Sequence, residues 1–188
     1  MDWIEKRAEA ILETVPDYIW DGEGLPVPVN DIVDSCFGLQ VIDVDDMTAA
    51  PQCPPLGAGE SLSGLLLAHE KQIWCNASEG LQWPPRRRFT VAHELGHWVL
   101  HRAGQDSLFC RRAVVAPESD PDQPKAERPE APEIEREANA FAAALLMPAR
   151  LMEHHYFATR GSDDRFGELC RIFGASAQAM SRRLRAVI

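Results

Sequence analysis

The 188-residue sequence lacks the two signals that would direct a chain to or across a membrane. No apolar run reaches the roughly 20 residues that a membrane-spanning helix needs, and the longest dense run, 138–147, is too short. The first residues include the acids Asp2 and Glu5, whereas a signal peptide begins with basic residues followed by an apolar core. These absences predict a cytoplasmic protein without a membrane partner.

Paired cysteines and an excess of basic charge are also missing. The five cysteines are odd in number, and no two are spaced as a CxxC pair. They are Cys36, Cys53, Cys75, Cys110 and Cys170. We therefore expect reduced thiols rather than a disulfide framework or a cysteine-based zinc site. The formal net charge of −10 disfavours a broad nucleic-acid interface, which needs clustered Lys and Arg, so direct binding to nucleic acid is not expected.

The composition is that of an ordinary globular protein, with 45% hydrophobic and 26% charged residues. A chain of this length can bury a core without disulfides or metal, so a bound metal would serve chemistry rather than folding. Hydrophobic periodicity predicts helices over 2–15, 29–37, 88–101 and 134–147, and strands over 39–44, 64–68 and 72–76. We expect an α+β fold that is mostly helical, with a small antiparallel sheet and a C-terminal helical region.

A proline-rich segment separates two of the predicted helices. Residues 117–133 hold five prolines and mostly acidic charges, and a composition of this kind predicts a mobile insertion. Pro148 ends the helix that follows, and the remaining residues are predicted to form short helices. We therefore expect a main domain over residues 1–150, which includes the insertion, and a C-terminal helical region over 151–188 packed on it.

The stretch from His93 to His97 reads HELGH and has the HExxH pattern of a zinc site. On a helix, histidines four residues apart project from one face, and both can bind one tetrahedral zinc at about 2.0–2.1 Å. Glu94 is offset around the helix, so it does not bind the metal but reaches the metal-bound water as a general base. The apolar residues of this helix lie opposite the histidines. The alternative is a solvated helix that carries two surface histidines.

A site of this class needs a third protein ligand, and two glutamates are available. Position 103, where the longer HExxHxxGxxH pattern has its third histidine, is Ala103. Glu135 and Asn139 lie four residues apart and share a face that borders the apolar stripe of their helix. We predict that Glu135 completes a site for one zinc per chain and that Asn139 hydrogen-bonds a ligand histidine. Glu137 points elsewhere on the helical wheel and is the less favoured alternative.

Two blocks of sequence resemble the ImmA/IrrE family of metallopeptidases. They are the block 88–97, RFTVAHELGH, followed by His101, and the block 135–148, EREANAFAAALLMP. Both blocks are long and specific, and the resemblance extends from about Val29 to the C-terminus. Near that end, residues 173–176 are similar to the family's terminal helical region, with Ala175 where valine is common. The insertion between the blocks is longer than the family norm.

This resemblance implies a zincin-like peptidase core and a zinc-dependent endopeptidase activity. It implies that His93, His97 and Glu135 bind zinc and that Glu94 is the catalytic base. Known members act on XRE-type helix-turn-helix repressors, are often encoded beside them, and relieve repression by cleaving them. The resemblance therefore implies a hydrolase that regulates transcription through such a protein partner.

The sequence leaves several alternatives open. A non-enzymatic regulator that binds a repressor, or senses metal or redox state through the same site, would carry the same motifs. A DNA-binding module on the C-terminal helices has the basic stretch 182–185 in its favour and the net charge against it. The strand 72–76 could pair with an extended substrate or be ordinary core, and His101 is expected to be a capping or surface residue. The sequence does not predict the oligomeric state. Although zinc is predicted, the metal bound in the cell stays open, because two histidines and a carboxylate also suit manganese or iron.

Overall fold

The structure is a computed structural model that describes residues 2–50, 60–101, 109–114 and 133–188. The α-helices in these ranges are α1 (Asp2–Glu13), α2 (Val29–Phe37), α3 (Ala77–Gln82), α4 (Pro84–Leu100), α5 (Glu133–Leu146), α6 (Ala149–Ala158), α7 (Arg165–Phe173) and α8 (Ala177–Val187). The strands are β1 (Gln40–Val44), β2 (Glu60–Leu67), β3 (Gln72–Asn76) and β4 (Phe109–Val114), and a short 3-10 helix covers Met47–Ala49. The predicted α+β class, mostly helical with a small sheet, is confirmed.

The four strands form one sheet in the order β1-β3-β2-β4. The predicted hairpin is present, because β2 and β3 are antiparallel neighbours with Leu66 opposite Ile73. The sheet is mixed rather than purely antiparallel, since β1 runs parallel to β3. This difference arises because β1 pairs with β3 and not with its neighbour in sequence, β2. The strand β4, which the sequence pattern did not predict, pairs antiparallel with β2.

The structure decides between the two alternatives for residues 72–76, an edge for an extended substrate and ordinary core. β3 has β1 on one side and β2 on the other, so its backbone groups are used within the sheet. Ile73 and Cys75 are also buried on one of its faces. An extended peptide needs an unpaired edge in order to add a strand. The alternative that this strand is ordinary core is therefore the correct one.

Local capping explains where several helices begin and end. The side-chain oxygens of Asn76 and Ser176 accept backbone N–H groups in the first turns of α3 and α8, at 3.1 and 3.2 Å. Gly38 and Gly174 follow α2 and α7 in the left-handed conformation, with φ of 62° and 58°, which glycine adopts without steric cost. The predicted end of the second helix at Gly38 is confirmed.

One hydrophobic core holds the central helix α4 in place. Val91 and Leu95 of α4 and Phe141 and Leu145 of α5 are all fully buried in it. The same helix α4 also packs against β2 and β3. Because α4 is surrounded by both the sheet and α5, the side chains that it carries are held in fixed positions within the protein interior.

A buried arginine connects the C-terminal helices to the rest of the described chain. Arg183 of α8 is 6% exposed, and its Nε donates to the backbone oxygen of Met147 at 2.8 Å. Its Nη1 donates to the carboxylate of Glu5 in α1 at 2.7 Å, which compensates the buried charge. Arg183 is therefore used inside the protein, whereas Arg182 and Arg185 are exposed. The division into two regions at residue 150 stays a prediction.

The sequence also predicts a mobile insertion over residues 117–133 and no membrane-spanning segment. Residues 117–132 of the predicted mobile insertion lie outside the described residues, while its last residue, Glu133, opens α5. Within the part of the chain that the structure describes, no helix has both the length and the apolar character needed to cross a bilayer.

Candidate metal centre

The HExxH motif lies in the most deeply buried part of α4. The helix begins with Pro84 and Pro85, where a missing N–H costs no helical hydrogen bond. Every residue from Thr90 to Trp98 is buried, because α4 packs against both the sheet and α5. The alternative of a solvated helix with two surface histidines is therefore wrong.

His93 and His97 face each other across one turn of α4. Both side chains are fully buried, and their Nε2 atoms are 3.0 Å apart. The two rings are nearly perpendicular, with an interplanar angle of 83°. This geometry follows from the four-residue spacing, which places both rings on one face of a helix. The two nitrogens therefore converge on one point, as a shared ligand position requires.

Glu135, in the first turn of α5, brings a carboxylate to both histidines. Its Oε2 lies 3.3 Å from Nε2 of His93, and its Oε1 lies 3.1 Å from Nε2 of His97. Burial by itself raises the pKa of the Glu135 carboxyl, but hydrogen bonds from the two histidines and their charge outweigh burial and hold the pKa well below its usual range. Glu135 therefore contributes a negative charge to the site at neutral pH.

These three side chains could hold a metal ion. Their ligand atoms all lie within 4.8 Å of one another. Ligands arranged tetrahedrally at about 2.0–2.1 Å from zinc are about 3.3–3.4 Å apart. The two Nε2 atoms are 3.0 Å apart, and each lies 3.1 to 3.3 Å from a different oxygen of Glu135, so a modest adjustment of the three side chains gives that spacing. The donor set also fits, since two imidazoles and one carboxylate leave a fourth position for water or substrate.

Glu94 lies beside this group on α4 but is not one of the three. Its side chain is fully buried and approaches β2 at Gly64. A Cβ atom built on Gly64 would lie 3.1 Å from Oε1 of Glu94 and would overlap the side chain of Thr90. Glycine at this point of β2 therefore leaves the space in which the Glu94 carboxylate lies. The assignment of Glu94 as the general base stays a prediction.

Helices α4 and α5 lie close together at Gly96. A Cβ atom on Gly96 would lie 3.2 Å from both the Cα and the backbone oxygen of Ala138, and Ala138 is itself fully buried. Because no side chain keeps the two backbones apart here, the first turn of α5 comes close enough for Glu135 to reach both histidines. The two small residues thus position the third ligand.

Replacing Gly96 with alanine is expected to weaken both the fold and the metal site. In a helix, alanine is more favourable than glycine by up to about 1 kcal/mol of folding free energy. At position 96, however, its methyl group meets the backbone of Ala138, which cannot rotate away. Overpacking of this kind costs about 1–3 kcal/mol, and it moves α5 away from the histidines. Chemical denaturation and zinc affinity measure the two effects.

The matched control for this substitution is Gly161→Ala. A Cβ atom on Gly161 would meet no atom within 4 Å, so we expect a change in unfolding free energy within about 0.5 kcal/mol. Equal stability and equal zinc affinity in Gly96→Ala and the wild type would contradict the role of the close crossing.

Two side chains of α5 lie differently from the prediction. Nδ2 of Asn139 donates to the backbone oxygen of Glu135 at 2.7 Å instead of binding a ligand histidine. Glu137 does not point away from α4, because its Oε2 lies 2.8 Å from Nε2 of His101. The reason is that α5 contacts α4 at Ala138. Successive residues of a helix are rotated by about 100°, so Glu135 and Glu137 lie on opposite sides of that contact around the helix.

His101 has a contact that sequence reasoning missed. It does end α4, as expected, with its backbone N–H donating to the oxygen of His97 at 3.0 Å. Its ring, however, turns inward, and its Nδ1 lies 3.1 Å from Nδ1 of His97. The signal that could have found this contact is the continued spacing, since His93, His97 and His101 are each four residues apart.

A buried HExxH helix, joined by a glutamate from a later helix, defines a metallopeptidase-type site. The chain belongs to the Peptidase_M78 family, whose model, described as the IrrE N-terminal-like domain, matches residues 59–185. That range includes α4, α5 and every side chain of the site. The predicted membership in the ImmA/IrrE family is confirmed. Comparison with curated proteins gives no match.

Proposed function

We propose that the chain is a zinc-dependent endopeptidase that hydrolyses a peptide bond within a protein partner. The observation that carries this proposal is the convergence of His93, His97 and Glu135. The buried Glu94 follows His93 directly in α4. Membership in a peptidase family supports it. Zinc is favoured over other divalent ions because two histidines and one glutamate form a known catalytic zinc site with one open position.

Each residue of the site then has a specific task. His93, His97 and Glu135 hold the metal, and the negative charge of Glu135 offsets part of the metal's charge. When bound, zinc lowers the pKa of a coordinated water and polarises the scissile carbonyl. Glu94 accepts the proton that the attacking water loses and transfers it to the nitrogen of the leaving amine. The peptide C–N bond breaks, and a carboxylate and an amine are released.

The proposed substrate is an XRE-type helix-turn-helix repressor, whose cleavage relieves repression. The support for this partner is the resemblance to the ImmA/IrrE family, whose known members act on such repressors. Charge also favours it, because the chain carries a net charge of −10 and a DNA-binding repressor presents a basic surface. Attraction of this kind raises the rate of encounter and falls as the salt concentration rises.

The experiment that tests this proposal uses a purified XRE-type helix-turn-helix repressor, sought first among the genes that neighbour the gene for this chain. The purified repressor is incubated with the zinc-loaded chain, and its fragments are identified by mass spectrometry. We expect cleavage at one or a few bonds, loss of cleavage with a chelator, and recovery on addition of zinc. Stable binding without cleavage would favour the non-enzymatic regulator instead. Cleavage of unrelated proteins at the same rate would contradict the repressor as the specific substrate.

A further inference from the structure

A chain of hydrogen bonds runs outward from the metal centre. Nδ1 of His97 lies 3.1 Å from Nδ1 of His101, and Nε2 of His101 lies 2.8 Å from Oε2 of Glu137. The side chain of His101 is only 9% exposed, and that of Glu137 is 25% exposed. These contacts connect the end of α4 to the first turns of α5 at a second point, beyond Glu135. We call these three side chains the Glu137–His101–His97 relay.

Proton accounting assigns the direction of each hydrogen bond in the relay. A histidine that binds a metal through Nε2 keeps its proton on Nδ1, so with a metal bound Nδ1 of His97 would donate to Nδ1 of His101. Because Nδ1 of His101 then accepts, Nε2 of His101 carries the N–H that meets the carboxylate of Glu137. Nε2 of His97, which faces His93 and Glu135, is the nitrogen that would bind the metal.

We infer that His101 and Glu137 are positioning residues, which fix the ring orientation and tautomer of His97 for metal binding. This inference rests on the proposed metal site and extends it. A ligand histidine commonly donates its second N–H to a carboxylate or a carbonyl, and that bond strengthens the ligand. In this protein the carboxylate acts through an intervening imidazole rather than directly.

The relay also gives a role to two of the three glutamates of α5, Glu135 and Glu137, which lie on opposite sides of Ala138 around the helix. Glu135 supplies a ligand to the metal, and Glu137 holds the ring of a second ligand, His97, in place through His101. Both glutamates belong to the same helix, and α5 meets α4 at the Gly96 crossing. The packing of α5 against α4 therefore places Glu135, the third ligand, and also orients His97, the second.

Zinc affinity tests the inference without depending on peptidase activity. The variants are Glu137→Ala, which removes the acceptor, and Glu137→Gln, which keeps the shape and an uncharged acceptor oxygen. We expect zinc binding, measured by competition with a chromogenic chelator, to weaken about 10–100-fold in Glu137→Ala. A smaller loss is expected in Glu137→Gln, because its amide oxygen can still accept from His101. The matched control is Glu133→Ala, an exposed position one turn earlier in α5.

A second readout separates positioning from a merely structural role. Cobalt replaces zinc in such sites, and its visible absorption spectrum reports the geometry of the ligands. We expect the bands to shift in Glu137→Ala and to match the wild type in Glu133→Ala. Wild-type affinity and an unchanged cobalt spectrum in Glu137→Ala would overturn the relay while leaving the metal centre intact. Failure of the wild type itself to bind zinc would overturn the proposed function and the relay together.

Discussion

Replacing Glu94 with glutamine is expected to lower the rate of peptide hydrolysis by about 10²–10⁴-fold, the contribution typical of a general base. Glutamine has the same shape as glutamate but cannot take a proton from the attacking water. Glu94 is fully buried and is not among the three residues that could hold the metal. Zinc content should therefore remain at the wild-type level. Cleavage of the repressor is followed by mass spectrometry, and zinc is measured by elemental analysis on the same preparations.

The control for this prediction is Glu70→Gln. Glu70 lies in the exposed turn between β2 and β3, so the same chemical change there should leave both rate and zinc content unchanged. Retention of full hydrolytic activity in Glu94→Gln would rule out the proposed mechanism. Loss of zinc along with activity would instead assign Glu94 a structural role in the centre.

Replacing Glu135 with alanine is expected to produce the largest loss of metal binding from any single change in α5. Alanine removes an anionic ligand that lies within 3.3 Å of both histidine Nε2 atoms. Imidazoles that bind a metal are neutral, so the two histidines alone would leave the charge of the metal without an offset. We therefore expect zinc affinity to fall by more than the roughly 10–100-fold typical of losing an outer hydrogen-bond partner. Competition with chelators of graded affinity measures the loss.

Comparison of Glu135→Ala with Glu137→Ala separates the two acidic residues of the second motif block. We expect the order of zinc affinity to be wild type, then Glu137→Ala, then Glu135→Ala. The opposite order would make Glu137 the third ligand and Glu135 the supporting residue. Thermal unfolding of the metal-free variants shows whether each variant is folded before its affinity is interpreted.

The sequence predicts the local elements of this fold better than their pairing. Apolar periodicity and the end signal at Gly38 place α2 and the β2–β3 hairpin correctly, because both depend on neighbouring residues. The parallel pairing of β1 with β3 depends on contacts between residues about 30 positions apart, from Gln40 with Gln72 to Val44 with Asn76. Periodicity carries no information about which strands become neighbours. For that reason the sequence left two alternatives open for residues 72–76, an edge for an extended substrate and ordinary core, and the structure shows the second.

The core of the site follows from spacing, whereas its surroundings follow from tertiary packing. The HExxH pattern predicts that His93 and His97 share a face, and the structure brings their nitrogens to 3.0 Å. The position of Glu137 depends on where α5 crosses α4, and that crossing is set by Gly96 and Ala138. A helical wheel of α5 alone cannot show this crossing. The contact between Glu137 and His101 is therefore visible only in three dimensions.

Anomalous X-ray diffraction at the zinc absorption edge, from crystals of the zinc-loaded chain, locates the metal and its ligands in one measurement. We expect one strong peak about 2.0–2.2 Å from Nε2 of His93, Nε2 of His97 and a carboxylate oxygen of Glu135. Glu94 should lie beside the peak without binding it. The absence of a peak at these three side chains, or a peak held by other residues, would rule out the proposed metal centre.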